Sequence, residues 1–366
     1  MHVEVAIIGG GIAGVSCAAS VAPRASVAVV EAESTLGYHA TGRSAAIHTD
    51  CYGAELIRRL SLASRAYFTD RDDPLGVVQP VLFLAAQDDA RIVDDLYDRF
   101  CGLVPTIQRL SPAEVAALVP VIPEENTAGG ILEPYALSLD VHGILTSFAT
   151  TAREHGCSIL TGCRVTQITR TDSMWRIHAG DRIITARTIV DAAGPWGDVV
   201  AAMAGVASLG LTPLKRSVFS FDPGLPAGDW PFVVDAGELW YMKPEGPHLL
   251  GSAASEIPQD PSDARPDEID VALGIERINE STTLSIRSIK TQWAGLRTFT
   301  PDRIPAAGYD NETDDFFWLV GQGGNGIHTS PALGATAAGL LLDDAIPSSI
   351  ARHGVTAEML DPVRFR

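Results

Sequence analysis

Val3 to Ile8 is a short β-branched apolar run that stops at three consecutive glycines, Gly9-Gly10-Gly11. Ile12 to Ala22 is small and apolar enough to pack as a helix against a sheet. Ser26 to Val30 is a second apolar run of strand length, and it ends at Glu31. The order strand, glycine turn, helix, strand is a βαβ unit, and unbroken apolar strands fit a parallel sheet covered on both faces.

Further along, Gly42 to Ala46 is a small-residue loop that opens a helix, and Cys51 to Phe68 reads as that helix, with Leu56, Leu60 and Ala63 on its apolar face. Val77 to Ala86 is strand-like, and Asp88 to Phe100 is a charged amphipathic helix. Ser111-Pro112-Ala113-Glu114 carries the marks of a helix start. A helix follows the Ser138–Asp140 region and runs to His155 before Gly156. Four short strands, Ser158–Leu160, Val165–Arg170, Met174–Ala179 and Arg182–Thr185, form a small antiparallel meander. Thr188–Asp191 is a further buried strand, ended by Ala192-Ala193-Gly194-Pro195-Trp196. Lys215–Phe221, Glu238–Lys243 and Pro247–Ala253 alternate like strands of a second, mostly antiparallel sheet. Asp267–Thr283 is helical, Gln292–Thr300 and Phe316–Val320 are strands, and a glycine-rich loop leads into a helix over Ser330–Leu342. Parallel and antiparallel pieces alternate along the chain, which predicts an α/β protein of two interleaved domains.

Composition adds mainly exclusions. The 366 residues are 46% hydrophobic and 20% charged, ordinary for a folded protein, and they suffice for one large unit or two packed domains. The formal net charge of −18 repels phosphate backbones and anionic lipid, so neither nucleic acid nor a membrane surface is an expected partner. An anionic substrate requires a local cluster of Arg or Lys acting against that field. The five cysteines are odd in number and none is spaced C-x-x-C, which points to reduced thiols rather than a disulfide framework or a zinc site, and no metal is expected. Glu4 and the absence of Lys or Arg before Arg24 argue against a signal peptide, and the glycines against a spanning helix. A cytoplasmic location is the expectation.

The chemistry begins at the first turn. Gly9-x-Gly11-x-x-Gly14 lies between a strand and a helix, with Glu31 closing the next strand. Gly9 makes the tight turn, Gly11 admits a pyrophosphate, Gly14 allows close helix–sheet packing, and Glu31 is placed for ribose hydroxyls. This pattern predicts a dinucleotide and does not by itself separate FAD from NAD.

Longer segments narrow it. GYHATGRSAAIHTDCYG (37–53), VDAAGPWGD (190–198), LTPLKRSVFSF (211–221), WYMKP (240–244), WAGLRTFTPDRIPAAGY (293–309) and GQGGNGIHTSPALG (321–334) resemble, in order, the bacterial D-arginine dehydrogenases. These belong to the D-amino-acid oxidase and glycine oxidase superfamily of flavoproteins. The resemblance implies a Rossmann-type FAD-binding domain from residues 1–53, 137–212 and 300–366. It implies a mostly antiparallel substrate domain from residues 54–136 and 213–299. The implied FAD, held non-covalently, meets Gly9, Gly11, Ile12, Ala13 and Gly14 at the pyrophosphate, and Glu31 and Ala32 at the adenosine ribose. His39, Thr41, Arg43, Ser44 and Ala45 lie along the pyrophosphate and flavin edge. Val165, Ala193, Gly194 and Trp196 lie on the adenosine side. Gly323, Gly324, Asn325, Gly326, Ile327 and Thr329 lie at the flavin end, where backbone N–H groups favour charge on the reduced ring. Arg216, Arg297, Tyr241 and Tyr52 match positions that hold a substrate carboxylate, a task suited to the guanidinium fork.

Two positions depart from that pattern. The histidine expected after GRSAA is Ile47 here, with His48 one residue on as its candidate replacement beside the reacting amine. The acid that would meet a guanidinium substrate falls near Val81, which favours a neutral, apolar or aromatic D-amino acid, with Asp50 as a substitute acid. The resemblance to sarcosine-oxidase-like relatives implies an oxygen-activating lysine in a strand that corresponds loosely to 248–251. This chain has none there, which favours a dehydrogenase, while Lys215 and Lys243 keep an oxidase in view. His39, His48 and Cys51 are the residues able to attach flavin covalently. The expected reaction is oxidation at Cα to an imino acid that hydrolyses to a 2-oxo acid and ammonia. Rival readings are oxidation of a secondary amine or 2-hydroxy acid on the same fold, or a flavin-binding regulatory protein without turnover.

Overall fold

The computed structural model describes residues 1–171 and 173–366. Among them, one sheet runs in the order Val165–Thr171, Met174–Ala179, Arg182–Asp191, His2–Ile8, Val27–Val30, Ser158–Leu160. His2–Ile8 pairs in parallel with Val27–Val30 on one side and Arg182–Asp191 on the other, and Phe316–Val320 joins Arg182–Asp191 in parallel. Ser158–Leu160 lies outside the expected meander and pairs in parallel with Val27–Val30, while the meander's last strand, Arg182–Thr185, and the buried strand Thr188–Asp191 are one ten-residue strand. No glycine or proline interrupts it, so its first half pairs with the meander and its second with the parallel sheet.

Each face of this sheet has its own core. On one, Val5, Ile7 and Val29 meet the helices Ile12–Val21, Val141–Glu154 and Gly326–Asp343. On the other, Ala6, Ile8 and Val30 meet Trp175, Ile177 and Val200. Helix Glu55–Thr69 contributes Leu56, Leu60 and Phe68 to the first core, and its Ser64 Oγ accepts from the Ala332 amide at 3.1 Å. The resemblance puts residues 54–136 with the substrate domain, yet this helix packs on the core of the parallel sheet. Its apolar stripe would suit either side, and only packing decides.

The second sheet has ten strands among the described residues, in the order Gln322–Gly323, Thr291–Phe299, Thr212–Phe221, His248–Ser252, Tyr241–Glu245, Phe232–Asp235, Val81–Ala86, Thr127–Glu133, Gln108–Leu110, with Ile257–Pro258 on Thr212–Phe221. Its pairings are antiparallel except between Phe232–Asp235 and Val81–Ala86. A small third sheet joins Ile47–His48, Leu137–Leu139 and Gly76–Val78. The run 77–86 therefore divides at Gln79-Pro80 into strands of different sheets, as a proline without an N–H would favour. The helix expected from Cys51 begins at Glu55, and the strands Thr127–Glu133, Phe232–Asp235 and Ala306–Tyr309 were not anticipated. The Ser111–Glu114 capping box forms as read.

The helix expected over Ser330–Leu342 starts at Gly326, with Pro331 inside it. Proline leaves a carbonyl one turn back without its usual donor, and the Ser330 hydroxyl donates to Ile327 O at 2.8 Å. The earlier start carries a helix N-terminus to the junction of the two sheets. Among the described residues no helix is long and apolar enough to cross a membrane.

Candidate functional site

Two cavities meet end to end. The first lies over the ends of the parallel strands and is lined by Gly9, Gly11, Glu31, Ala32, His39, Thr41, Val165, Ala193, Gly194 and Trp196, among others. The second is lined by Ile12, Ala13, Thr41, Arg43, Ser44, Ala45, Gly323, Gly324, Gly326 and Ile327, and reaches Tyr52, Arg216, Tyr241 and Arg297 in the second sheet. Ala40, Thr41, Gly194 and Pro195 border both, so the space is continuous.

The turn at the first cavity is backbone chemistry. Gly9 has φ +113°, and any Cβ there would strike the Ala192 carbonyl. A Cβ on Gly14 would strike the Gly9 carbonyl oxygen, so Gly14 sets the helix–strand spacing and does not border either cavity. Glu31 accepts from the Gly10 amide at 2.6 Å and the Glu33 amide at 2.7 Å, which ties strand, turn and carboxylate together. The first helix has no side-chain cap at Gly11; Ile12 N donates to Thr41 Oγ1 at 3.0 Å, and no hydrogen bond among the described residues engages the Gly11 amide. An unbonded amide at a helix N-terminus suits a pyrophosphate. One side of this cavity is closed by His39, whose ring centroid lies 4.7 Å from that of Trp196 and whose Nε2 is 3.1 Å from Glu33.

At the second cavity the second sheet supplies side chains. Arg216 lies opposite Gly295 in the antiparallel register, and Arg297 is two residues from Gly295, so both guanidinium groups leave the same face. Arg216 Nε donates to Ser255 O at 3.1 Å and its Nη2 to Ala254 O. Arg297 Nη1 donates to Glu256 at 3.0 Å and its Nη2 to the Tyr52 hydroxyl at 3.3 Å. Gly324 packs on the Arg297 guanidinium, where a Cβ would collide. Burial, then the neighbouring Arg297 charge, pulls the Arg216 pKa down, and burial raises that of Tyr241, opposed by Arg216. Val81, Phe83, Val218, Phe232 and Val234 make the rest of the wall. Glu238 borders the cavity and accepts from the Tyr52 hydroxyl at 3.3 Å.

Several expected residues stand elsewhere. His48 is fully buried and borders neither cavity; its Nε2 is 3.1 Å from Ser61 O, and its ring packs on Phe68. In the extended pair Ile47–His48 successive side chains face opposite ways, so Ile47 takes the cavity and His48 the helix behind it. Asp50 is likewise buried, 3.5 Å from Arg65, and is no acid for a substrate. Asn325 and Thr329 also stay out of the cavities: Asn325 Oδ1 lies 3.1 Å from His328 Nε2, and the Thr329 hydroxyl donates to Asn325 O at 2.8 Å. Arg43 borders the cavity, but its guanidinium donates to Ala264 O and Ala294 O and pairs with Asp263. Lys243 donates to Ala45 O at 3.0 Å, Lys215 pairs with Asp267, and neither borders the cavity. Cys51 is buried off the cavity, while His39 lines the first cavity and not the second.

His328 was not singled out from the sequence, although it sits in the segment 321–334, and it borders the second cavity. Its Nδ1 is 3.2 Å from Ser61 Oγ, and burial together with His48 pushes its pKa down to about 3. The ring is therefore neutral across the ordinary pH range. The helix start at Gly326, four residues earlier than the sequence pattern suggested, is what brings it there.

The comparisons agree with this geometry. A family model described as FAD dependent oxidoreductase matches residues 4–340. FAD-dependent oxidoreductase domain-containing protein 1 of Xenopus laevis is 24% identical over 93% of this chain and 79% of its own length. Glycine oxidase of Geobacillus kaustophilus is 24% identical over 96% of this chain and 97% of its own, and its crystal structure superposes with TM-score 0.81 at 23% identity, covering 93% and 94% of the two chains. The structure of L-proline dehydrogenase from P. horikoshii gives TM-score 0.83 at 23% identity, covering 99% and 97%. These likenesses reach the wider family and not D-arginine dehydrogenase in particular. The chain belongs to the FAD dependent oxidoreductase family, and FAD is its cofactor.

Proposed function

We propose that the protein oxidises an amino acid with a neutral, apolar or aromatic side chain, of D configuration, at the carbon bearing nitrogen. The carrying observation is the pair Arg216 and Arg297 projecting from one sheet face into an apolar cavity that continues into the glycine turns. Arg216 and Arg297 bind the substrate carboxylate, and Tyr241 and Tyr52 border the same space. Val81, Phe83, Phe232 and Val234 receive the side chain and exclude water, an apolar wall that favours a neutral side chain over a cationic one. FAD supplies the hydride acceptor, and the protein's task is orientation of Cα–H toward it. The amine proton leaves to solvent, and the imino acid hydrolyses to a 2-oxo acid and ammonia. The names of the relatives, glycine oxidase and L-proline dehydrogenase, support an amino acid or related amine as substrate class. Lys215, paired with Asp267 away from the cavity, and Lys243, whose ammonium is held behind the wall by Ala45 O, support an electron acceptor other than oxygen.

The test is anaerobic reduction of the bound flavin by D- and L-amino acids, N-methyl amino acids and 2-hydroxy acids, with an artificial acceptor and an oxygen-only control. Bleaching by apolar D-amino acids ahead of D-arginine is expected. A yellow protein that none of these reduces would sink the reading.

A further inference from the structure

One carboxylate sits behind the two clamp arginines. Glu256 Oε1 lies 3.0 Å from Arg297 Nη1, 2.8 Å from Arg303 Nη2 and 3.7 Å from Arg216 Nη2, so three guanidinium groups converge on a single oxygen. The same segment wraps Arg216, through the carbonyls of Ala254 and Ser255. Glu256 follows directly, at the end of a turn where Ala254 has φ +52°. The other ionisable groups around the clamp are Tyr52 and Tyr241 and, bonded to Tyr52, Glu238. Three guanidinium charges against the two carboxylates Glu256 and Glu238 leave one positive charge, the complement of one bound carboxylate.

We propose that Glu256 is a specificity-determining residue that restricts the clamp to substrates with one carboxylate. The idea rests on the amino-acid reading above. Burial opposes the charge on Glu256, yet Arg303, Arg297 and Arg216 together hold its carboxyl below the ordinary range. The carboxylate therefore stays charged beside the substrate's own. A second substrate carboxylate would meet a fixed like charge in a partly desolvated place, an arrangement that discriminates strongly between partners. Without Glu256 the clamp would carry two positive charges and accept two carboxylates.

The experiment uses the FAD-loaded protein and reads ligand binding from the visible spectrum of the bound flavin, with propionate as the monocarboxylate probe and succinate as the dicarboxylate. The wild type is expected to bind propionate more tightly. Glu256→Gln should shift the succinate-to-propionate affinity ratio toward succinate by about tenfold or more, and Glu256→Asp should keep the wild-type preference. Arg303 is half exposed, so Arg303→Gln leaves the interior intact. By removing a positive charge it should move the ratio the other way, by a smaller factor. An unchanged ratio in Glu256→Gln and Arg303→Gln, with propionate still bound, overturns the role of Glu256 and leaves the amino-acid reading standing. Equal weakening of both probes in Glu256→Gln also overturns it, because that is what a structural brace would do. A wild type whose flavin responds to neither probe overturns the clamp itself.

Discussion

The two ends of the site are built in different ways. At the adenosine end the working groups are main-chain atoms of neighbouring residues: the Gly9–Gly11 turn, the amides at the start of the first helix, and Glu31 fastened to the Gly10 amide at 2.6 Å. At the substrate end they are side chains on strands that meet only through sheet register, as Arg216 and Arg297 do. The first end tolerates little variation, since Gly9 and Gly14 have no room for a Cβ. The second can change its walls one side chain at a time. Ile47 and Val81, apolar side chains, line the same cavity as Arg216 and Arg297. Cofactor and substrate recognition thus rest on separate physical devices, and separate substitutions should damage them.

The most widespread effect, on helix packing and cofactor together, is expected at Gly14. Gly14→Ala would force the first helix off the Gly9 carbonyl, an overpacking that costs about 1–3 kcal/mol and also displaces the phosphate-binding amides. The purified variant should lose most of its flavin absorbance; full retention of FAD would show that the spacing is not needed. Arg297→Ala addresses the other end. It should raise KM for a carboxylate substrate by a factor that corresponds to about 2–5 kcal/mol while FAD stays bound. A normal KM would remove Arg297 from the clamp, and loss of flavin would mean the two ends are not separate. Glu31→Gln is milder. An amide nitrogen would face one of the two backbone N–H groups now bonded to the carboxylate, costing about 1–3 kcal/mol, and titration should show weaker FAD affinity with KM unchanged.

The smallest effect is a pH dependence. His328, depressed to about 3 in the fold, takes up a proton in the unfolded chain near pH 6.5, so the unfolded state binds more protons between those values. Its contribution to stability is present above pH 6.5 and declines as the pH falls, by about 1.4 kcal/mol per unit. His48, also lowered by burial, acts in the same direction. In His328→Gln the melting temperature should therefore fall less steeply between pH 6.5 and 5 than in the wild type; parallel curves would show that His328 is protonated in the fold.

Much of the site's cofactor half was legible because it is local. Glycines at positions 9, 11 and 14 are constrained by atoms a few residues away, and the strand–turn–helix order was visible in the apolar pattern. The substrate half was legible only through resemblance, and there the errors gathered. His48 was moved off the cavity by the two-residue alternation of an extended strand, and Asp50 by its pairing with Arg65. Asn325 and Thr329 were moved by a helix that begins at Gly326 and turns their polar groups inward. Glycine, asparagine and proline in that stretch look like loop residues, and only packing against the first helix shows otherwise. Which core takes helix Glu55–Thr69 was not legible either, since an amphipathic helix does not encode which core will take its apolar face.

By itself, then, the sequence determined the βαβ unit, the dinucleotide turn and the alternation of parallel and antiparallel segments, because each depends on atoms close together along the chain. The tertiary structure decided which side chains share the second cavity. It set Arg216 and Arg297 on one face by antiparallel register and gathered Arg297, Arg303 and Arg216 around Glu256. It also put His328 in the wall in place of His48. Those contacts depend on register, helix phase and the meeting of two sheets, quantities that only the folded chain fixes.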